Sequence, residues 1–222
     1  MEWRLLEEIP FSIDESGFLA EMCVKPGSPR EASCQELIYR ACALAKPRAL
    51  YLPLRIENLE ETGMTAGGRR FQSTLFKPWL REGEEIYFFL ASCGPEIGSW
   101  SGDFYGDPLR RYWADRLAER ALLLAVAALE NALRPLIEDE YLAAMNPGSF
   151  PGWPLEEQRL IFALLGGAAA ACGITLNEQY VMQPQKSFSG FYFGSAAAYC
   201  NCGLCRRSRC PNRRAAFVDD SC

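Results

Sequence analysis

The chain has 222 residues, 49% of them hydrophobic and 23% charged, with a formal net charge of -5. That is enough for one large domain or two small ones, with the composition of an ordinary globular protein. The acidic balance argues against a general nucleic-acid partner, whose binding would come from neutralising phosphates. The complete lack of histidine removes imidazole-dependent zinc hydrolases, Ser-His-Asp triads and Cys-His pairs.

The N-terminal MEWRLLEEIP carries acids where a signal peptide would carry an apolar core. The most apolar runs, ALLLAVAAL and IFALLGGAAAACGI, fall short of the about 20 residues of a membrane span. The expectation is a cytoplasmic chain with reduced thiols and no membrane partner. No phosphate-binding GxxxxGK[ST] or GxGxxG loop is present.

In chain order, WRLLEEIPFSID has strand-like parts and a short helix is expected from Glu15 to Cys23. KPGSPREAS reads as a loop, followed by a helix over CQELIYRACALA that stops before Lys46-Pro47. RALYLPLRIENLE and EEIYFFLASC read as strands, the second buried; TAGGRR is a turn, and TLFKPWLREG a short helix or turn. From Pro108 runs the strongest helix, capped by Asp107, with an apolar stripe of Leu109, Trp113, Leu117, Leu124 and Ala128 and a kink or stop at Pro135. AAMNPGSFPGWPLEEQ is a Pro/Gly-rich connection that runs over a surface or lines a site. A second helix, LEEQRLIFALLGGAAAACG, ends at Gly173. ITLNEQYVMQPQKSFSGFYFGS holds one or two strands, with Ser187 and Ser189 expected to point outward from a core strand. Cys23, Cys34, Cys42 and Cys172 are expected to be small buried side chains. The mixed order of helices and strands, without a regular βαβ repeat, favours an α+β fold.

Three stretches, GDPLRRYWADRLAERA, NPGSFPGWPLEEQRLIFALL and GITLNEQYVMQPQKSFSGFYF, come in an order and at a separation that resemble the activation (reactivation) domain of cobalamin-dependent methionine synthase. The likeness is strongest from Gly106 to Phe193, and closest to free-standing versions that end in a Cys-x2-Cys-x4-Cys-Pro tail. The resemblance implies a curved antiparallel sheet flanked by helices. It implies S-adenosylmethionine binding and its presentation to a corrinoid whose cobalt has been oxidised, with an electron donor supplying one electron. Such chemistry needs placement more than acid–base catalysis, so no catalytic side chain is expected.

Carried onto this sequence, the resemblance makes Glu119 a contact to the cofactor's amino-acid part, and Pro147, Gly148, Ser149 and Phe150 the turn that lies against the cofactor. Ala144 stands where the family places an arginine that binds the cofactor carboxylate, leaving another cation such as Arg134 or Lys186 to replace that clamp. Tyr199 falls where a family tyrosine lies close to cofactor and corrinoid. The corrinoid must come in trans, because the family's cobalamin-carrying domain ligates cobalt through a histidine.

The ending YCNCGLCRRSRCPNRR sets four of the ten cysteines among five arginines. Cys202-x2-Cys205-x4-Cys210-Pro211 suits an iron–sulfur cluster, with an all-cysteine zinc site as the alternative. The fourth ligand would be Cys200, Cys222 or Cys93. The chain therefore divides into an activation-domain-like unit, 1–195, and a Cys-rich metal-binding tail, 196–222. The expected function is an accessory for reductive activation or remethylation of a separate corrinoid protein or corrinoid-dependent methyltransferase. The alternative is a non-catalytic module, stapled by zinc or a cluster, that docks on such an enzyme.

Overall fold

A computed structural model describes residues 2–150, 152–207, 209–210 and 213–217. Its backbone is a seven-stranded antiparallel sheet with helices on both faces. The central ribbon is β2 (Arg48–Glu60), which pairs with β5 (Glu85–Ser92) from Arg48↔Ser92 to Arg55↔Glu85. The outer edge of β2 is shared: β1 (Arg4–Leu6) covers Ala49 to Tyr51, and β3 (Gly63–Ala66) covers Ile56 to Glu60. Pro53, with no N–H to give, falls in the gap between these two partners, where a missing donor is tolerated. The register shifts between Ile56 and Asn58, a bulge that bends and twists the strand. Gly67 and Gly68, at φ +57° and +66°, turn β3 into β4 (Arg69–Gln72), the positive-φ pair that a two-residue hairpin turn favours. On the other side of β5 lies β9 (Ser187–Ser195), and beyond it β6 (Tyr141–Met145), giving the order β4-β3-β2-β5-β9-β6. A small separate pair, β7 (Thr175–Leu176) and β8 (Met182–Gln183), leads into β9.

Alternation along β5 and β9 divides the apolar side chains between two cores. Tyr87, Phe89, Ala91 and Tyr192 face α1 (Glu15–Glu21), α2 (Pro29–Leu44), α3 (Pro95–Trp100) and α4 (Pro108–Leu133). Phe88, Leu90, Phe191 and Phe193 face α5 (Gln158–Leu165), α6 (Ala168–Ala171) and the Pro/Gly-rich loop. The second core is aromatic: Trp153 lies edge-on to Phe76 at 5.2 Å and tilted against Phe191 at 5.3 Å, while Phe71 stacks on Phe88 at 5.0 Å. Such pairs add about 0.5–1.5 kcal/mol each beyond area burial. The loop thus plugs a core instead of running over a surface, with Phe150 and Trp153 buried.

The long helix starts as expected, with Pro108 in its first turn and Asp107 accepting the Arg110 N–H at 3.0 Å. Its buried face differs: Leu109 is exposed, Leu124 and Ala128 are half-buried, and the true stripe runs through Ala114, Ala118, Ala121, Ala125 and Leu129 with Trp113 and Leu117. The alanines let the helix approach the sheet closely, a signal that weighting by side-chain size conceals. The second predicted helix is broken at Gly166, φ +53°, into α5 and α6. The first long helix begins inside the expected loop, at Pro29, because proline is at home in a first turn. Ser187 and Ser189 point inward, not outward: Ser189 Oγ donates to Gln158 Oε1 at 2.7 Å and Ser187 Oγ to the Pro184 carbonyl at 2.8 Å. Cys34 and Cys172 are buried as expected, but Cys23 and Cys42 are exposed. Among the described residues no helix is long and apolar enough to cross a membrane.

Candidate functional site

On α4, Asp115, Glu119, Leu122, Val126 and Glu130 recur at helical spacing and share one side of the helix. Both ends of that row are tied to β9 or to the residue before it: Asp115 accepts Lys186 Nζ at 2.8 Å, and Glu130 accepts the Tyr192 hydroxyl at 3.0 Å. Glu119 lies on α4 between these two anchored residues. Its side chain is 14% exposed and pairs with Arg116, which also binds Glu21 of α1 at 2.7 Å. The side of β9 facing this row carries Phe188, which is 41% exposed, then Gly190 and Tyr192. Ala144 of β6 pairs with Tyr192 and packs against the same core. Glu119 and Ala144, distant in sequence, are thus brought to one side of the sheet. On β9 the residue between Phe188 and Tyr192 on this side is Gly190, which is buried.

Beyond Ala144 the chain leaves β6 through Asn146 into the turn Pro147–Phe150. Gly148 is left-handed at φ +75°, its N–H donating to the Trp153 carbonyl at 2.8 Å, and the Ser149 N–H donates to the Asn146 carbonyl at 3.2 Å. A side chain at Gly148 would press on Leu155. Phe150 is 4% exposed and belongs to the aromatic core, so the turn can offer a ligand its backbone and Ser149, not the Phe150 ring. Asn146 is a residue that motif reading misses. Its side-chain Nδ2 donates to the Ser189 carbonyl at 2.7 Å and its side-chain Oδ1 accepts from Asn201 Nδ2 at 2.7 Å. Gly190 makes room for it, since a Cβ there would strike the Met145 carbonyl and the Asn146 amide.

Of the two replacement cations, Lys186 lies on the Glu119 side of the sheet, in the ion pair with Asp115. Arg134 is committed elsewhere, donating to the carbonyls of Ile137 at 3.0 Å, Glu140 at 3.4 Å and Asp139.

Tyr199 stands at the start of the tail, its ring against Trp79 at 4.8 Å and Phe193 at 5.8 Å and its hydroxyl donating to Asn201 at 2.9 Å. Burial raises its phenol well above the ordinary value. Leu204 of α7 (Asn201–Leu204) packs on the same second core. The Cys200 and Cys202 thiols influence each other's titration. Burial raises the Cys200 thiol. At Cys202 burial pulls the same way but is outweighed by N–H groups of Arg214 and Ala215, the Cys200 thiol and the Arg213 charge, leaving it below the usual thiol range. The Arg214 N–H reaches Cys202 Sγ at 3.3 Å.

Among the described residues no three Cys, Asp or Glu side chains converge into a metal-holding group. Cys202, Cys205, Cys210 and Cys200, half-buried along the tail, are not gathered as an iron–sulfur or zinc site requires. Cys93 is sealed in the first core, donating to the Gly94 carbonyl at 3.3 Å, with burial pushing its thiol up to about 12. Cys222 and Pro211 lie outside the described residues.

A search of the curated proteins returns no match. Among solved structures, the chain is similar to a crystal structure of the MetH reactivation domain bound to AdoHcy, with a TM-score of 0.58, 17% identity, and coverage of 90% of this chain and 80% of that one. This places the sheet and its flanking helices in the same fold. The family model described as vitamin B12 dependent methionine synthase, activation domain, matches residues 102–214, which is just over half of the chain and takes in α4, β6, the Pro147–Phe150 turn, β9 and the start of the tail. By that match, the chain belongs to the activation-domain family of vitamin B12-dependent methionine synthase.

Proposed function

We propose that the protein serves the reactivation of a corrinoid enzyme supplied in trans, and that the side of the sheet bearing Phe188 and Ala144, together with Glu119, receives S-adenosylmethionine as methyl donor. One observation supports this most: α4 carries a carboxylate, Glu119, and through Asp115 holds a cation, Lys186, two residues before the exposed Phe188 of β9. That pairing suits a zwitterionic amino-acid headgroup, the carboxylate facing the ammonium and the lysine facing the ligand carboxylate. Lys186 is a point charge without the two-pronged fork of arginine, so it substitutes for the missing clamp at reduced affinity. S-adenosylmethionine brings its own leaving group. The residues are left to bind, orient and keep the sulfonium side open to a docking corrinoid.

An electron-transfer arm, an iron–sulfur cluster on Cys202, Cys205 and Cys210 with Cys200 as fourth ligand, rests on the cysteine spacing alone and requires a rearranged tail. Ala144 supports a second reading, a binding module on a corrinoid methyltransferase whose cofactor site has lost its carboxylate clamp. Calorimetry with S-adenosylmethionine separates the two: saturable heat that Glu119→Gln and Lys186→Met both weaken supports the methyl-donor reading. Absence of heat at millimolar ligand removes it. Iron, sulfide and zinc analysis of anaerobically purified protein tests the cluster separately.

A further inference from the structure

The tail ending this family member has the cysteine spacing of a metal site, yet its described fold is organised by something else. The Arg213 guanidinium sits among four backbone carbonyls. Nη1 donates to Cys202 at 2.9 Å and Ala215 at 3.0 Å; Nη2 donates to Cys205 at 2.8 Å and Arg207 at 2.7 Å. Both N–H bonds of each terminal nitrogen are therefore used, which only the planar fork of arginine permits. The carbonyls of Cys202 and Cys205 lie at the C-terminal end of the single turn α7, where the Cys202 carbonyl also accepts the Cys205 N–H at 3.4 Å. Arg213 thereby closes a loop over the same span that a metal on Cys202, Cys205 and Cys210 would close.

The loop so formed is fastened to the domain at three places. Tyr199 seats against Trp79 and Phe193, Asn201 bonds Asn146, and Arg214 approaches Glu130 at 3.8 Å. Trp79 and Phe193 belong to the second core, whereas Glu130 lies on α4, so the tail reaches both faces at the β6 side of the sheet. Asn146 is the last residue before the Pro147–Phe150 turn, and its own carbonyl holds the Ser149 N–H.

We propose that the cysteine-rich tail folds without a metal, around Arg213, as a strap that holds the Pro147–Phe150 turn in place through the Asn201–Asn146 bond. The cysteines are then passengers of a fold that exists before any ion arrives. The strap's importance for cofactor binding rests on the function proposed above, but its existence does not.

Hydrogen exchange followed by mass spectrometry, on the full chain kept in chelator and reductant, tests this directly. Peptides spanning 199–207 should be protected in the metal-free protein. Arg213→Lys, which keeps the charge but loses the fork, should exchange there at least about tenfold faster, while β5 and β9 stay as in the wild type. Cys205→Ser combined with Cys210→Ser should keep the protection, and this variant decides the matter if Arg213→Lys misfolds. A wild-type tail protected only after zinc or iron and sulfide are added would overturn the proposal. So would loss of protection in the double serine variant, or full protection in Arg213→Lys. The Gly148 and Ser149 amides should also exchange faster in Arg213→Lys, and wild-type rates there would break the link to the turn. None of these readouts needs a cofactor, so failure to bind S-adenosylmethionine leaves the test intact.

Discussion

On the proposed function, cofactor affinity turns on Ala144. It sits beside Tyr192 on the side of the sheet that Glu119 flanks, so a longer side chain there projects along the proposed ligand site. Charge-assisted hydrogen bonds add about 1.5–3 kcal/mol, so Ala144→Arg should tighten S-adenosylhomocysteine binding by about tenfold or more in calorimetry. Unchanged affinity would place the carboxylate of the ligand elsewhere. Two glutamates make opposite pH predictions. Hydrogen bonding from Arg116 is the main reason that the Glu21 carboxyl is held below its ordinary value, with Arg120 adding to it. Its folded pKa is depressed, so its contribution is complete above the ordinary glutamate value and fades as pH falls through the folded one. Exposed pairs of this kind are worth about 0–1 kcal/mol. Glu21→Gln should therefore lower the melting temperature slightly at pH 7 and converge with the wild type in acid. Burial, reinforced by the charge of Asp139, raises the Glu84 carboxyl. Its cost is absent below the ordinary value and grows as pH rises through the raised one. Glu84→Gln should then melt higher than the wild type at pH 7 and equally in acid.

Among elements, the Pro/Gly-rich loop joins stability to the site. Trp153 is fully buried against Phe71, Phe76 and Phe191, and the same loop, a few residues earlier, forms the turn at Gly148. Trp153→Ala should cost about 3–5 kcal/mol in denaturant unfolding, with ligand affinity falling too because the Gly148 N–H bonds the Trp153 carbonyl. Much of the fold was legible at this scale. β2 occupies the span its alternating pattern predicts, β5 falls within its predicted stretch, and Pro108 and Asp107 mark the start of α4. What misled was chemistry that depends on neighbours. Ser187 and Ser189 look like outward polar positions until Pro184 and Gln158 arrive to receive their hydroxyls. The break at Gly166 sits in a run of helix formers, where glycine pairs are tolerated often enough that only packing decides. In the site, Glu119 and the turn could be named from motifs. Asn146, Asn201 and Arg213 could not, because each acts through a partner 43 residues, 55 residues or up to 11 residues away.

At the level of the whole molecule, the sheet divides labour between its faces. One face, under α4, carries the proposed ligand site; the other packs aromatic rings that hold the loop and the tail. The function proposed above places the corrinoid on a separate partner, so its activity would belong to a complex. Methyl transfer to a corrinoid should appear only when a corrinoid protein and a reductant are added, and S-adenosylhomocysteine should compete. Binding itself should not need the partner. Ligand at a hundred times its Kd adds about 2.7 kcal/mol to the stability of the isolated chain, readable as a rise in melting temperature.

The contact between Tyr199 and Trp79 gives the molecule an optical gauge. The indole of Trp79 is partly covered by the Tyr199 ring at 4.8 Å, and three of the other four tryptophans, Trp100, Trp113 and Trp153, lie buried in the cores. A tail lifted off the domain would leave Trp79 in water and those three not. The Trp79 emission then shifts to longer wavelength, and subtracting the spectrum of Trp79→Phe isolates that signal. Whether the tail stays seated when a corrinoid protein is added can thus be read on unlabelled protein.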